Sequence, residues 1–414
     1  MKRFAEKIIQ KTYEIINSSC FSDTFKMTAT SFTRNRNMGF KGIIGMCLNF
    51  IKKSLQLEID NYMELTDPSI EKPITKQAFS KSRQNISPDA FKYLFHMTGE
   101  MALEDDEIKR YNGYRIFAID GTELQIPKTK ETVKIFTQNR GSTSPRARAS
   151  TLCDVISGYI IHANIEDTTV DERTLALEHL EYFNNYNQTK DIIIFDRGYP
   201  SKNLIKYLND NHISFLMRMQ KSFNKEIDTT DKQDFCVDIA SYKTRVVKVI
   251  LDGGETETLI TNLSKTAFAY SKFKDLYRLR WGIETKYNTL KNKLEAETFS
   301  GRTVVAILQD FYATLYLCNV VSAIKAETDG IISSKTKDSS LKYEYKTNEN
   351  ILIGKLRNKL ILIILNDDPK QREVLLEKLI SQIALHKVPV VPDRHFDRPL
   401  CTHKKVTQKP KKAL

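Results

Sequence analysis

DIIIFDRGYPS, residues 191–201, is the stretch on which the fold turns. Ile192, Ile193, Ile194 and Phe195 form an unbroken apolar run, without the alternation of a strand that has one face in water. Such a run marks a strand covered on both faces, as in sheets flanked by helices. It ends at Asp196, with Gly198 two residues on. Upstream, YRIFAIDGTELQIP (114–127) reads as a half-buried strand carrying an acid, Asp120, with Gly121 directly after it. RASTLCDVISGYIIHANIE (148–166) reads as two strands joined at the Ser157–Gly158 turn, the hairpin signal. DERTLALEHLEYF (171–183) follows as a helix with acids at its positive N-terminal end. Beyond the central run come a helix, SKNLIKYLNDN, and a strand, ISFLMRM. One strand, a hairpin, then alternating helix and strand predict an α/β layer built on a mixed sheet.

The flanks differ in character. Residues 220–265 add more β, with TRVVKVIL and TETLITNL on either side of the Asp252–Glu255 turn, and are read as a β-rich insertion. Residues 1–105 read as helical throughout. Within them Ser87, Pro88 and Asp89 start a helix, and the short helix before it carries Lys76, Gln77, Ser80, Lys81 and Arg83. Those side chains suit phosphates and base edges, as in a helix-turn-helix reader of DNA, or form an ordinary polar face. After the insertion comes a long helix around VVAILQDFYATLYLCNVVSAIKAE. A Ser-, Thr- and Lys-rich stretch at 329–349 is expected to be a loop, and 350–365 and 369–386 to be amphipathic helices. The expected division is a helical DNA-binding region (1–105), a catalytic core (106–330), a C-terminal helical region suited to dimerisation (331–400) and a basic, disordered tail (401–414).

Lys and Arg number 64 against 51 acidic residues, a net charge of +13 that points to a polyanionic partner, nucleic acid first. The six cysteines form no C-x-x-C pair and no close cluster with histidine, which argues against a zinc site or a disulfide framework and fits a reducing cytoplasm. The N-terminus, MKRFAEKIIQK, is interrupted by charge where a signal peptide needs an apolar run. No membrane partner is expected, and a cytoplasmic, nucleoid-associated location is.

YRLRWGIETKYNTLK (277–291) carries the remaining chemistry. On a helix turning about 100° per residue, Tyr277, Arg280, Glu284 and Lys291 share one face while Leu276, Leu279, Ile283, Tyr287, Leu290 and Leu294 form an adjoining apolar one. Taken alone, Arg280 and Glu284 also read as an i,i+4 surface pair of about 0.2–0.5 kcal/mol. Asp120 and Asp196 sit on strands, and the carboxyl ends of strands are where α/β sheets build sites. Acids gathered there repel unless a cation neutralises them, and hard oxygen ligands select Mg²⁺ or Mn²⁺. Two such ions suit in-line phosphoryl displacement. Arg280, Lys291 and Tyr277 would then hold phosphates beside the metal ligand Glu284. The loop NRGSTSPRARAS adds Arg140, Arg146 and Arg148 close to the sheet, where they track a DNA strand or are simply solvated.

IDGT around Asp120, DRGY around Asp196 and Y-x2-R-x3-E-x6-K at Tyr277, Arg280, Glu284 and Lys291 together resemble the bacterial insertion-sequence transposases of family four, the DDE enzymes with the YREK signature. The resemblance extends through KQAFSKSRQNISPDAF, DERTLALEHLEYF and PVVPDRHF, and so over most of the chain. It implies a ribonuclease-H-like core with a β-rich insertion between the second aspartate and the glutamate. It implies Asp120, Asp196 and Glu284 as the metal-binding catalytic triad, with Tyr277, Arg280 and Lys291 as contacts to the DNA end. The implied chemistry is metal-dependent cleavage at the ends of an insertion sequence, followed by attack of the freed 3′ hydroxyl on double-stranded target DNA within a homodimeric synaptic complex. Trp281, the only tryptophan, is expected to pack, which leaves the hairpin step of well-studied members open here. Two other readings remain: a non-catalytic DNA-binding protein derived from such an enzyme, and a metal nuclease of the same fold without strand transfer.

Overall fold

The isoleucine run becomes the middle of a sheet. The computed structural model describes residues 3–391, apart from 35–37, 50–52, 68, 70–73, 106, 137–144, 251–253 and 338–340. Its large sheet comprises β1 (Arg110–Tyr111), β2 (Tyr114–Gln125), β3 (Arg146–Asp154), β4 (Ile160–Asp167), β5 (Asp191–Phe195), β6 (Ser214–Arg218), β7 (Asp234–Ile239), β8 (Tyr242–Ile250) and β9 (Thr256–Thr261). The order is β4-β3-β2-β5-β6-β9-β8-β7, with the short β1 pairing beside β2. β2, β3 and β4 run antiparallel, and β2, β5 and β6 run parallel. Three antiparallel strands followed by two parallel ones make the ribonuclease-H-like mixed sheet that was expected. All five residues of β5 are buried, as a strand between two helical layers must be.

The insertion does not stand apart from this sheet. β9 pairs antiparallel with β6, and β8 and β7 continue outward from it. The β2–β5 junction is fixed by an ion pair that is fully buried: Arg115 donates to both carboxylate oxygens of Asp191, at 2.7 and 2.6 Å, and to the Tyr186 carbonyl at 2.9 Å.

Six helices precede the sheet: α1 (Phe4–Asn17), α2 (Ser19–Phe25), α3 (Phe40–Cys47), α4 (Leu55–Thr66), α5 (Lys76–Arg83) and α6 (Asp89–Glu104). Ser87 Oγ accepts the Asp89 N–H at the start of α6, as the Ser-Pro-Asp signal requires. Between strands lie α7 (Lys130–Phe136), α8 (Glu172–Phe183), α9 (Lys202–Asp210) and the short α10 (Lys225–Thr229). After β9 come α11 (Phe273–Arg278), α12 (Trp281–Asn288) and a π-helical turn, Thr289–Lys293. The chain then enters α13 (Val304–Thr336), 33 residues or about 50 Å long. α13 is long and apolar enough to span a membrane, yet most of its apolar window is buried inside the protein, against α6, α1 and the C-terminal helices. Asn319 on α13 is bonded to the backbone of Ile160 in both directions and to Thr98 Oγ1, all at 2.8 Å, and so ties α13 to β4 and α6.

Two expectations need correction. The division at 330/331 falls inside α13, because the helix continues to Thr336 on the strength of buried residues such as Thr328 and Ile332. The stretch 329–349 is not simply a loop: it ends as β10 (Glu344–Thr347), which pairs antiparallel with β11 (Lys387–Val390). That pairing joins residues distant along the chain, Glu344 with Val390 and Thr347 with Lys387, so local composition could not announce it. Between the two lie α14 (Glu349–Leu356), α15 (Lys359–Leu365) and α16 (Pro369–Ala384). Asn358, with φ +64°, breaks what reads in sequence as one helix into α14 and α15. The basic tail 401–414 and the DRHF stretch lie outside the described residues.

Candidate active site

Asp120 lies in the second half of β2 and Asp196 directly follows β5. The parallel ladder between these strands ends at Ala118 opposite Ile194. Two residues further along each strand bring Asp120 level with Asp196, at the carboxyl end of the sheet. Asp120 Oδ1 accepts the Gly121 N–H at 2.9 Å, and Asp196 Oδ1 accepts the Gly198 N–H at 2.7 Å. Burial, first, and then repulsion by Asp196 and Glu172 push the Asp120 carboxyl up to about 7, against the opposite pull of the Gly121 N–H and Arg280. An acid raised so far sits among charges that a cation would balance.

The segment bearing Glu284 is not one continuous helix. α11 gives way to a tight turn at Leu279–Arg280 before α12, and α12 passes into the π-helical turn. Gly282 permits this packing: a Cβ there would lie 2.4 Å from the Val155 carbonyl, in the connection between β3 and β4. α12 is then fastened to β2. The Tyr287 hydroxyl donates to the Asp120 carbonyl at 2.5 Å and stands 2.9 Å from Thr151 Oγ1, while Lys291 Nζ donates to the Glu123 carbonyl at 2.6 Å. Tyr287 is one helical turn from Glu284, so its bond sets the helix that carries the third acid against the strand that carries the first.

Glu284 Oε1 accepts from Arg280 Nη2 at 2.7 Å, and the charge of Asp120 also acts on that guanidinium. Arg280 thus stands between two acids. Among the described residues no group of three or more His, Cys, Asp or Glu is disposed to hold a metal ion. Asp120 and Asp196 share one end of the sheet without forming a ready cage with Glu284, which is paired to Arg280. The donor set of the aspartate pair nevertheless fits a divalent cation: hard carboxylate oxygens at a strand end, one of them raised by burial and like charge. Around them three buried polar atoms, Tyr199 Oη, Tyr277 Oη and Arg280 Nε, have no hydrogen-bond partner among the described residues.

The residues expected to touch DNA are distributed as follows. Tyr277 is buried, its ring 5.9 Å from the Arg280 guanidinium, and burial pushes its hydroxyl up to about 12. Arg146 pairs with Glu123 at 2.8 Å, and Arg148 donates to the Val170 carbonyl with Nε 3.7 Å from Glu172. Both arginines belong to β3, not to a loop; Arg140 lies outside the described residues. Trp281, expected to pack, is 50% exposed: two positions from Leu279 and from Ile283, it falls on the side of the helix away from the apolar face, and the Arg280 guanidinium lies 5.8 Å from its ring. In α5, Lys76, Gln77 and Lys81 face solvent but Arg83 does not. It is buried against α13 and its approach, bonded to Gln309, Ser300 and Asp310 at 2.8, 2.5 and 2.9 Å, which removes it from any DNA-reading face.

Sequence reasoning missed Glu172, Tyr199 and Tyr287 as members of this neighbourhood. Tyr287 was visible only as part of an apolar stripe, although it shares the three-residue spacing from Glu284. Glu172 and Tyr199 stand inside the DERT and DRGY stretches already singled out, and that was the available signal.

The family model described as the transposase DDE domain matches residues 111–319 of this chain. Transposase InsG for insertion sequence element IS4, from Escherichia coli strain K12, is 21% identical over 328 residues, covering 73% of each chain. A cryo-EM structure of the piggyBac transposase synaptic complex with hairpin DNA gives a TM-score of 0.44 at 12% identity, covering 94% of this chain and 84% of that one.

Proposed function

The chain belongs to the DDE transposase family, and from that premise we propose that Asp120, Asp196 and Glu284 are the acids with which it cleaves the ends of an insertion sequence and joins them to target DNA. The protein is a DNA transposase, an enzyme of metal-dependent phosphoryl transfer. The observation that carries the residue assignment is the register of β2 and β5, which sets Asp120 and Asp196 level at the strand ends beside the helix of Glu284.

Asp120 and Asp196 would hold the divalent cation, with Glu284 as the third acid once its carboxylate leaves Arg280. We take the ion to be Mg²⁺ or Mn²⁺, because carboxylate oxygens and a phosphate substrate suit hard cations that retain water. Bound there, it would polarise the phosphoryl oxygen and stabilise the developing charge. The chain's own residues do the rest. Tyr287 and Lys291 hold the signature helix against β2. The Arg280 guanidinium and Tyr277 hydroxyl offer buried donors that a phosphate oxygen of the transposon end would satisfy. Arg146 and Arg148, on the adjoining strand, would follow the duplex at greater distance. We further propose that the working form is a homodimer holding two ends of double-stranded DNA, and that it acts in the cytoplasm at the nucleoid.

The test uses purified full-length protein, linear DNA bearing candidate ends, and Mg²⁺. Wild type is expected to cut at the ends and join them to target DNA, and Glu284→Ala to bind DNA without doing either. Cleavage that survives Glu284→Ala would remove that residue from the triad. Cleavage by wild type without joining would mark a nuclease, and binding without cleavage a protein that has lost its chemistry.

A further inference from the structure

One side chain outside the triad accounts for several features around the aspartate pair. Glu172 opens α8, with its side chain 39% exposed, and its carboxylate lies against both acid motifs. A Cβ at Gly121, the residue after Asp120, would stand 3.0 Å from Glu172 Oε1. A Cβ at Gly198, two residues after Asp196, would stand 3.9 Å from Glu172 Oε2 and 3.2 Å from Asp196 Oδ1. Neither glycine has the positive φ that favours glycine for its backbone, so each supplies room, and Glu172 takes a share of it at both. Arg148 Nε, 3.7 Å from Oε1, restrains the carboxylate from the β3 side.

A second observation points to a ligand in this space. The Tyr199 ring is fully buried against Phe195, at 5.5 Å between centroids, and its hydroxyl has no hydrogen-bond partner among the described residues. The charges of Asp120, Glu172 and Asp196 all act on that hydroxyl. Three carboxylates thus lie near an unmatched phenol. Since they do not form a direct ligand set, Glu172 would act across intervening water.

We propose that Glu172 is a positioning residue of the active site, whose carboxylate accepts hydrogen bonds from the waters that a divalent cation brings to Asp120 and Asp196. The inference rests on the reading of that pair as the cation-holding acids. Its physical basis is that Mg²⁺ and Mn²⁺ keep several waters when bound by one or two carboxylates, and that residues orienting such an outer layer typically govern affinity by about 10–100-fold.

The test is Mn²⁺ binding to the full-length protein without DNA, followed by electron paramagnetic resonance, with thermal midpoints measured in parallel. Glu172→Gln, which keeps the shape and removes the charge, is expected to weaken Mn²⁺ binding about 10-fold or more at an unchanged midpoint. Glu172→Asp should recover part of the loss. Gly121→Ala, which crowds the carboxylate without altering it, should shift affinity the same way by less. Wild-type affinity in Glu172→Gln overturns the proposal, as does equal loss in Glu172→Gln and Glu172→Asp accompanied by a fall in both midpoints, which marks a purely structural role. Asp120→Asn separates the two readings. If it abolishes binding while Glu172→Gln keeps wild-type affinity, only the role of Glu172 fails; if it leaves binding intact, the aspartate pair itself is wrongly read.

Discussion

The Tyr287 hydroxyl gives its proton to the Asp120 carbonyl and receives one from Thr151, so a single buried oxygen joins α12, β2 and β3. Phenylalanine at this position would keep the ring packing and leave the Asp120 carbonyl without that donor. The expected loss is about 1–2 kcal/mol of stability, read as a lower urea midpoint, because a buried acceptor without its bond bears its own desolvation. Cleavage by Tyr287→Phe should fall more than DNA affinity does, since the bond orients the helix of Glu284 and touches no expected DNA contact. An affinity loss as large as the rate loss would contradict this assignment. In sequence the residue is indistinguishable from its apolar neighbours, because periodicity reports which face a side chain occupies and not where its polar tip ends.

At the scale of elements, α5 shows two faces with different work. Its exposed face carries Lys76, Gln77 and Lys81, while its inner face sends Arg83 into a pocket made by Ser300, Gln309 and Asp310. Burial and the paired guanidinium act oppositely on Asp310, and the guanidinium prevails, holding that carboxyl below its ordinary range. Arg83→Ala would strand a buried carboxylate and should cost about 3–5 kcal/mol, measured by urea unfolding. If the outer face of α5 reads DNA, Lys81→Ala should leave stability within about 0.5 kcal/mol. It should also reduce the slope of log affinity against log salt by about 0.9, the value for one phosphate contact. An unchanged slope would remove Lys81 from the interface. The signature segment teaches a related lesson: its residue spacing is helical, yet the turn at Leu279–Arg280 and the π-helical turn divide it, and Tyr287 and Lys291 meet the carbonyls of Asp120 and Glu123 in β2.

Across the whole molecule, three layers meet at a histidine cluster that no sequence spacing announces. His96 of α6, His162 of β4 and His179 of α8 pack together, with the Nδ1 atoms of His162 and His179 2.7 Å apart and His179 Nε2 2.9 Å from Ser150 Oγ. Burial holds His96 down at about 4 and His179 at about 3, with the Lys92 charge adding to both, and lowers His162 as well. The unfolded chain protonates these rings near 6.5, so their contribution is complete above that value and is lost as pH falls toward the folded values. The cluster's own contribution to stability should therefore drop on acidification below about 6, with a slope that three such groups bring to at most about 4 kcal/mol per pH unit. Glu327 and Asp120, raised to about 7, and Asp154, raised to about 6, all chiefly by burial, act oppositely: their contribution is present in acid and fades as pH rises toward those values. Urea midpoints across pH 4.5–7 check this, and His96→Phe should flatten the acid limb; an unaltered slope would show that the cluster is not what titrates. What the sequence by itself determined is local in origin: the covered strand of three isoleucines, the Ser157–Gly158 hairpin, the helical flanks, and the acids placed at strand ends. Runs, periods and turn residues act over a few positions, and such signals survive in a single chain. It took three dimensions to bring β9 of the insertion onto β6, to bury Arg83 against Asp310, 227 positions away, and to stand Glu172 beside both aspartates. Each of these depends on which distant surfaces come together to exclude water, and that choice is made by packing and charge in three dimensions.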